Sequence, residues 1–292
     1  MYTLVQQDAW PLLIALYLFL GGLGGGIVAL GALGDLFLQK NDEQADRRPV
    51  LFAGIVGWIA LAVGSFFLMH DLEQPFKSYL AVRNLRSWIA WGVIFITLYM
   101  GLVPLYLYPY LRGGKVTVGW QRLAGMVLGV DGVLVAIYTG FLLASSRGVP
   151  FWNTPILPVI FVVSGLSTGA AALMLFLVAI KKSHFTEHLL HKLERWDLAL
   201  ILVEIVALAV LFGLGATGHA AAKESVRILL TSAGFLIGVP VAGLLIPLGL
   251  EWFSIRRPSV RLSVAAGVLV LFGGMLLRIH LLDAGVMGLP WQ

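Results

Sequence analysis

The sequence predicts an all-α integral membrane protein of eight transmembrane helices. Three observations carry this. Of 292 residues, 59% are hydrophobic and only 12% charged, whereas roughly one-quarter of a soluble domain is charged. Mean hydropathy is +0.92. The apolar runs are continuous and about 20 residues or more long, enough to cross the hydrocarbon core. They do not alternate as barrel strands do. A water-soluble enzyme, a disordered chain and a nucleic-acid-binding chain are thereby excluded, because the net charge of +5 reflects scarce charge rather than a basic patch. The sequence contains no cysteine, so disulfides and Cys-ligated iron–sulfur clusters are excluded within it. The start does not read as a cleavable signal peptide: no Lys or Arg precedes Trp10, and the apolar run that follows is too long.

The spans run approximately 10–38, 50–70, 87–110, 119–144, 155–181, 195–215, 226–250 and 260–282. The first opens behind Asp8 and Trp10 and is rich in glycine. The second ends on His70 and Asp71. The third begins with Trp88 and Trp91. The fourth starts near Trp120 and carries Asp131 and Tyr138. The fifth carries Ser164, Gly165 and Thr168. The sixth begins at Trp196 and holds Glu204 near its middle. The seventh ends near Trp252, and the eighth contains Arg278 and His280. The breaks between them are short, so consecutive helices are expected to be antiparallel, with no soluble domain.

Basic residues set the orientation. The odd-numbered loops hold thirteen: Lys40, Arg47, Arg48, Arg112, Lys115, Arg122, Lys181, Lys182, Lys192, Arg195, Arg256, Arg257 and Arg261. The even-numbered loops hold six: Lys77, Arg83, Arg86, Arg147, Lys223 and Arg227. The odd loops are expected to be cytoplasmic and both termini outside, in a prokaryotic plasma membrane. The second loop, with Lys77, Arg83 and Arg86, is unusually basic for the outer side.

An internal repeat is visible at a shift of 143 residues. "FLGGLGGGIVAL" (Phe19 to Leu30) overlays "VVSGLSTGAAAL" (Val162 to Leu173), with Gly22 on Gly165 and Gly26 on Gly169. Four spans separate the copies, so they run in the same direction. This predicts two parallel four-helix halves, 1–148 and 149–292, of a single membrane domain 1–292. Shared small-residue composition is the competing explanation. Either way, these small-xxx-small pairs predict close helix contacts.

Ionisable residues within spans are functional candidates. Most cluster in depth near the outer face: Asp8 and Trp10, His70 and Asp71, Tyr138, His219, and Arg278, His280 and Asp283. Ordinary interfacial caps or belt aromatics would also look like this. Asp131 and Glu204 lie deeper, and pairing with Arg278 or a hydrated path are both open to them. His184, His188 and His191 have helical spacing but sit among Lys181, Lys182 and Glu187. A solvated basic loop fits better than a metal site there. A bis-His haem across the membrane needs histidines on both sides. His70, His219 and His280 are all near the outer side, which excludes such a wire; one haem at the outer side is the lesser alternative, and the favoured reading has none.

Four stretches resemble the NrfD/PsrC family, the membrane subunits of polysulfide reductase-like complexes. They are Trp10-Pro11 with "LLIALYLFLGGLGGG"; "MHDLEQPF" (Met69 to Phe76) with "SWIAWG" (Ser87 to Gly92); "YTGFLLASSRGVPFWNTPILPVIFVVSGLSTGAA" (Tyr138 to Ala172); and "GGMLLRIHLLDAG" (Gly273 to Gly285). The third is the most specific. The resemblance implies a quinone-binding membrane anchor, for menaquinone or ubiquinone, with no redox cofactor of its own. It also implies a ferredoxin-like iron–sulfur subunit and a molybdopterin-type catalytic subunit as partners. The family's quinone-contacting tyrosine maps to Tyr138. Gln7, Asp8 and Trp10 are positional candidates for its other contacts, and His70 with Asp71 could accept a proton from quinol. Lys77, Arg83 and Arg86 would dock the iron–sulfur partner. The alternative is a proton-translocating energy-coupling subunit using Asp131, Glu204 and Arg278. A secondary transporter is a third possibility, but no pair of broken helices is evident.

Overall fold

The computed structural model describes residues 2–7, 12–39, 47–71, 82–112, 118–180 and 184–290. Asp8, Trp10 and Lys77, and the side chains of Asp71, His184 and His188, lie outside the described residues. Among the described residues, eight helices are long and apolar enough to span a membrane.

The helices are α1 (Leu12–Gln39), α2 (Arg48–Asp71), α3 (Trp88–Leu111), α4 (Val118–Ala144), α5 (Ile156–Ala179) and α6 (His184–Thr217). Then come α7 (Ala220–Thr231), α8 (Ala233–Leu236), a π-helical stretch (Ile237–Leu245), α9 (Ile246–Arg256) and α10 (Val260–Asp283). α1 and α5 form the centre: 67% of the apolar window of each is buried, against 22% for the peripheral α3. α1 packs on α2, α4 and α5, while α5 packs on α6, α10 and α1. The outward surface is apolar, with Phe66, Val206, Ile237 and Phe272 all exposed, the inverse of a soluble protein.

Close approach is built on glycine. A methyl group on Gly26 would overlap the Gly165 carbonyl, and one on Gly25 would overlap the Gly132 carbonyl. Lipid-exposed helices gain nothing from apolar burial against one another, so backbone proximity and dispersion must hold them. The glycines matched in the sequence repeat, Gly22, Gly26, Gly165 and Gly169, meet one another at the α1/α5 crossing.

Two expectations are corrected. First, the sixth helix begins at His184 rather than near 195, so the histidine segment is helical rather than a loop. Second, the expected span 226–250 is two elements. α7 is a separate amphipathic helix that turns Ala221, Ala222, Val226 and Leu229 inward. Its exposed Arg227 hydrogen-bonds Glu224 and holds that carboxyl below the usual range. The chain breaks at Ser232, whose hydroxyl accepts from the Phe235 amide as a helix cap. The true span then runs Ala233–Arg256. Its centre widens into a π-helix around Pro240, which lacks an N–H and cannot sustain the α-helical ladder.

The all-α architecture is as expected, with one short addition. β1 (Tyr2–Gln6) pairs antiparallel with β2 (Val286–Pro290), placing both ends of the chain on one face, as an even number of spans requires. Two isolated strands are marginal alone, and this ribbon is anchored by side chains. Gln6, Gln7 and the buried Trp152 donate to the carbonyls of Asp283, Leu282 and Leu281. These are terminal carbonyls of α10, which lack partners within the helix.

Candidate functional site

Polar side chains inside the bundle fall into separate groups. The outermost is a tyrosine pair. Tyr17 of α1 and Tyr138 of α4 are both buried, with hydroxyls 3.3 Å apart. The ring of Tyr138 lies against Gly92 of α3, where any side chain would collide with it. About one helical turn further out, Trp88 stacks on Phe141, with ring centroids 4.0 Å apart and an interplanar angle of 5°. Above this stack opens a groove of about 540 Å³ lined by Arg86, Ser87, Trp88, Ser145, Arg147 and Asn153. The order from the surface inward is therefore a cationic, hydroxyl-bearing groove, an aromatic pair, and a buried tyrosine dyad.

The other outer candidates lie elsewhere. His70 is exposed, with its ring parallel to that of Phe66. Gln7 is held at the end of α10. Arg83 is exposed and Arg86 lines the groove.

In the middle of the membrane, the structure divides the three residues read as a proton path. Asp131 is buried beside Tyr99 of α3, and among the described residues one of its carboxylate oxygens has no hydrogen-bond partner; the Tyr99 hydroxyl donates to the Gly24 carbonyl at 2.6 Å. Glu204 of α6 and Arg278 of α10 lie together beside α5. Arg278 is fully buried and lies over the Phe161 ring. It donates to the Ser164 hydroxyl at 2.6 Å and the Gly274 carbonyl at 2.8 Å. Ser164 also lies next to Glu204, so it stands between the two charges. Beside them is a small cavity, about 10 Å³, lined by Ser164, Ser167, Thr168 and Glu204. That is room for about one water molecule.

Two further groups lie toward the basic face. Asp35 is fully buried and accepts from the hydroxyls of Tyr106 and Tyr110 and from Arg47 at 2.9 Å. Tyr106→Phe removes one charge-assisted hydrogen bond. The expected cost is about 2 kcal/mol, read as a lower midpoint in thermal unfolding of the detergent-solubilised protein. On α6, Glu194 accepts from Ser254 at 2.8 Å and from Ser263, and faces His191 at 3.0 Å. Next to it Asp197 of α6 and Glu251 of α9 face each other, both fully buried.

Sequence reading missed Tyr17, Asp35, Glu194, Asp197 and Glu251. An acid near a span end looks like an ordinary interfacial residue, and only burial tells it apart. A usable signal was present for one group: Glu194, Asp197, Ile201 and Glu204 recur on one helical face.

A family model for polysulphide reductase, NrfD, matches residues 3–290. The sequence is 30% identical to Protein NrfD of Escherichia coli, over 94% of each protein. It is also 30% identical to the C chain of polysulfide reductase from Wolinella succinogenes, over 94% of this protein and 93% of the relative. The C subunit of selenate reductase from Mesobacillus selenatarsenatis is 27% identical over 61% of this protein and 49% of its own length. With its eight membrane-spanning helices and a match that runs nearly from end to end, this chain belongs to the NrfD polysulphide reductase family of multi-pass membrane proteins.

Proposed function

We propose that this chain is the quinone-reactive membrane subunit of a multi-subunit oxidoreductase in a prokaryotic plasma membrane. The observation that carries the reading is the buried Tyr17–Tyr138 pair beneath an aromatic stack and a polar groove on one face. Quinol oxidation releases two electrons and two protons. With no cysteine available, the electron acceptor is a partner's iron–sulfur cluster, and the complex is completed by a molybdopterin-type subunit. Two relatives are named as parts of a polysulfide reductase and a selenate reductase, which supports that assignment. The basic loop containing Lys77, Arg83 and Arg86 is the docking surface for the iron–sulfur subunit.

Within the site, the Tyr138 hydroxyl donates a hydrogen bond to a quinone oxygen, and Tyr17 holds that hydroxyl in place. The dry surroundings strengthen the bond. Because Tyr138 is only 2% exposed, a headgroup reaches it by parting Trp88 from Phe141. The rings of that pair offer stacking surface to a quinone ring. We further propose that the two halves 1–148 and 149–292 are related by an axis along the membrane normal. The meeting of repeat-matched glycines at the α1/α5 crossing supports it, since equivalent residues touch at a two-fold axis.

Tyr138→Phe keeps the ring on Gly92 and removes only the hydroxyl. Quinol oxidation by the assembled complex is expected to fall about tenfold or more in kcat/KM, with every subunit still present in its usual proportion. Unaltered turnover in that variant refutes the assignment.

A further inference from the structure

His280 has no part in the tyrosine site, and it does not cap its own helix. The carbonyls of Leu281, Leu282 and Asp283 are taken by Trp152, Gln7 and Gln6. The imidazole is instead held against a neighbouring helix. It meets Phe235 of α8 edge to face, with ring centroids 5.9 Å apart at 86°. Phe235 is buried and packs in turn on Phe212 of α6. Beside the imidazole lies Gly234, which has no side chain. A Cβ placed there would be 3.3 Å from Nε2 and Cε1 of His280 and 3.8 Å from the Ser232 hydroxyl. Two hydrogen-bonding groups therefore border a spot that glycine leaves bare. The spot opens toward lipid: His280 is partly exposed, and Ile237, just past Gly234, is 64% exposed.

The contacts that frame Tyr138 recur here. Gly132 of α4 lies against Gly25 of α1; 142 and 143 residues later, Gly274 of α10 lies against Thr168 of α5. At an offset of 142, Gly92 and Tyr138 become Gly234 and His280, and in both pairs the glycine adjoins the ring. Each ring carries an atom that donates to a quinone oxygen, and an imidazole nitrogen in its other tautomeric state accepts from a quinol hydroxyl. The two positions differ in access. Tyr138 is 2% exposed and lies beneath Trp88 and Phe141, whereas His280 reaches the protein surface. They differ also in support. At the same offset from Tyr17 stand Val159 and Ile160, which offer no hydroxyl.

We propose that His280, Gly234 and Ser232 form a second quinone-binding site, at the seam of α8 and α10 near the face that carries both chain ends. A headgroup oxygen bonds to the imidazole, the ring lies over the bare Gly234, and the isoprenoid tail runs past Ile237 into lipid. No aromatic pair has to part to admit the headgroup. It therefore exchanges with the membrane pool faster than a headgroup at Tyr138, and this site holds quinone close to the complex between turnovers.

The ligand class rests on the quinone reading of Tyr138, and the test separates the two. The complex purified from its host is illuminated with an azido-naphthoquinone bearing a short isoprenoid chain, with and without excess unreactive quinone. Labelled peptides are then mapped by mass spectrometry. Expected: competitor-protected label in two regions of the wild type, one in α3 and α4 and one in α8 and α10. His280→Phe keeps a ring against Phe235 and removes both nitrogens. At sub-saturating probe its label on α8 and α10 should fall about fivefold, the worth of one hydrogen bond, while the label on α3 and α4 stays. Gly234→Leu fills the bare spot and should abolish the label on α8 and α10. The wild-type map does not depend on either variant assembling. Label confined to α3 and α4 in the wild type overturns the second site and leaves the tyrosine site standing. Label on α8 and α10 that is undiminished in His280→Phe also overturns it. Competitor-protected label on α8 and α10 alone supports the second site and refutes the reading of Tyr138.

Discussion

Arg278→Ala is expected to destabilise the protein by about 3–5 kcal/mol, the range for removing one partner of a buried charge pair. Arg278 is fully buried, bonded to Ser164 and the Gly274 carbonyl, and set over Phe161. Its loss leaves Glu204 without its nearby positive charge and opens a void between α1, α5 and α10. In hydrocarbon neither is relieved by solvent. The variant should unfold at a lower temperature in detergent and assemble poorly in the membrane. Glu204→Gln in the same chain removes the stranded charge and should recover part of the loss. A double-mutant cycle by thermal unfolding measures that recovery. Strictly additive effects would show that the two groups do not interact, contrary to their placement on either side of Ser164.

The second large effect is steric. Gly26 lies where the backbones of α1 and α5 touch, and even a methyl group there overlaps the Gly165 carbonyl. Gly26→Leu forces the two central helices apart. Overpacking by a few methylenes already costs about 1–3 kcal/mol, and here backbone must move rather than a side chain. Little folded protein is expected in membranes, with Gly26→Ala intermediate. Gly34, on the same helix, has nothing within 4 Å of its added Cβ, so Gly34→Leu should accumulate as wild type does. Equal accumulation of all three variants, scored by size-exclusion profile after detergent extraction, would contradict the role given to the crossing.

Much of the fold was legible because a span announces itself by length and apolar continuity. α1 to α5 and α10 were readable to within a few residues in this way. The misreadings have physical causes. The segment from His184 is too polar to look like membrane, yet helix geometry continues through it into the span. α7 and the following span are joined in the sequence by apolar residues, and only the cap at Ser232 divides them. The terminal strands are too short to signal themselves and depend on pairing between opposite ends of the sequence.

The site was less legible. Tyr138, Glu204 and Arg278 stand out because each departs from an apolar background. Tyr17 does not, since aromatics near a span end are common, and its role as partner of Tyr138 exists only when α1 lies against α4. Asp131 and Glu204 look alike in sequence, but they have different neighbours: Tyr99 of α3 for the first, Ser164 of α5 and Arg278 of α10 for the second.

The sequence by itself determined that the polypeptide spans the membrane eight times, which set of loops carries the positive charge, and that no cysteine of this sequence holds a metal. These follow from local quantities: transfer free energy, loop charge and residue type. Only the tertiary structure decided which scarce polar groups meet. In a membrane a polar group must find its partner on another helix, and the choice of helix depends on glycine contacts such as Gly26 with Gly165, which set how closely and at what register the spans pack.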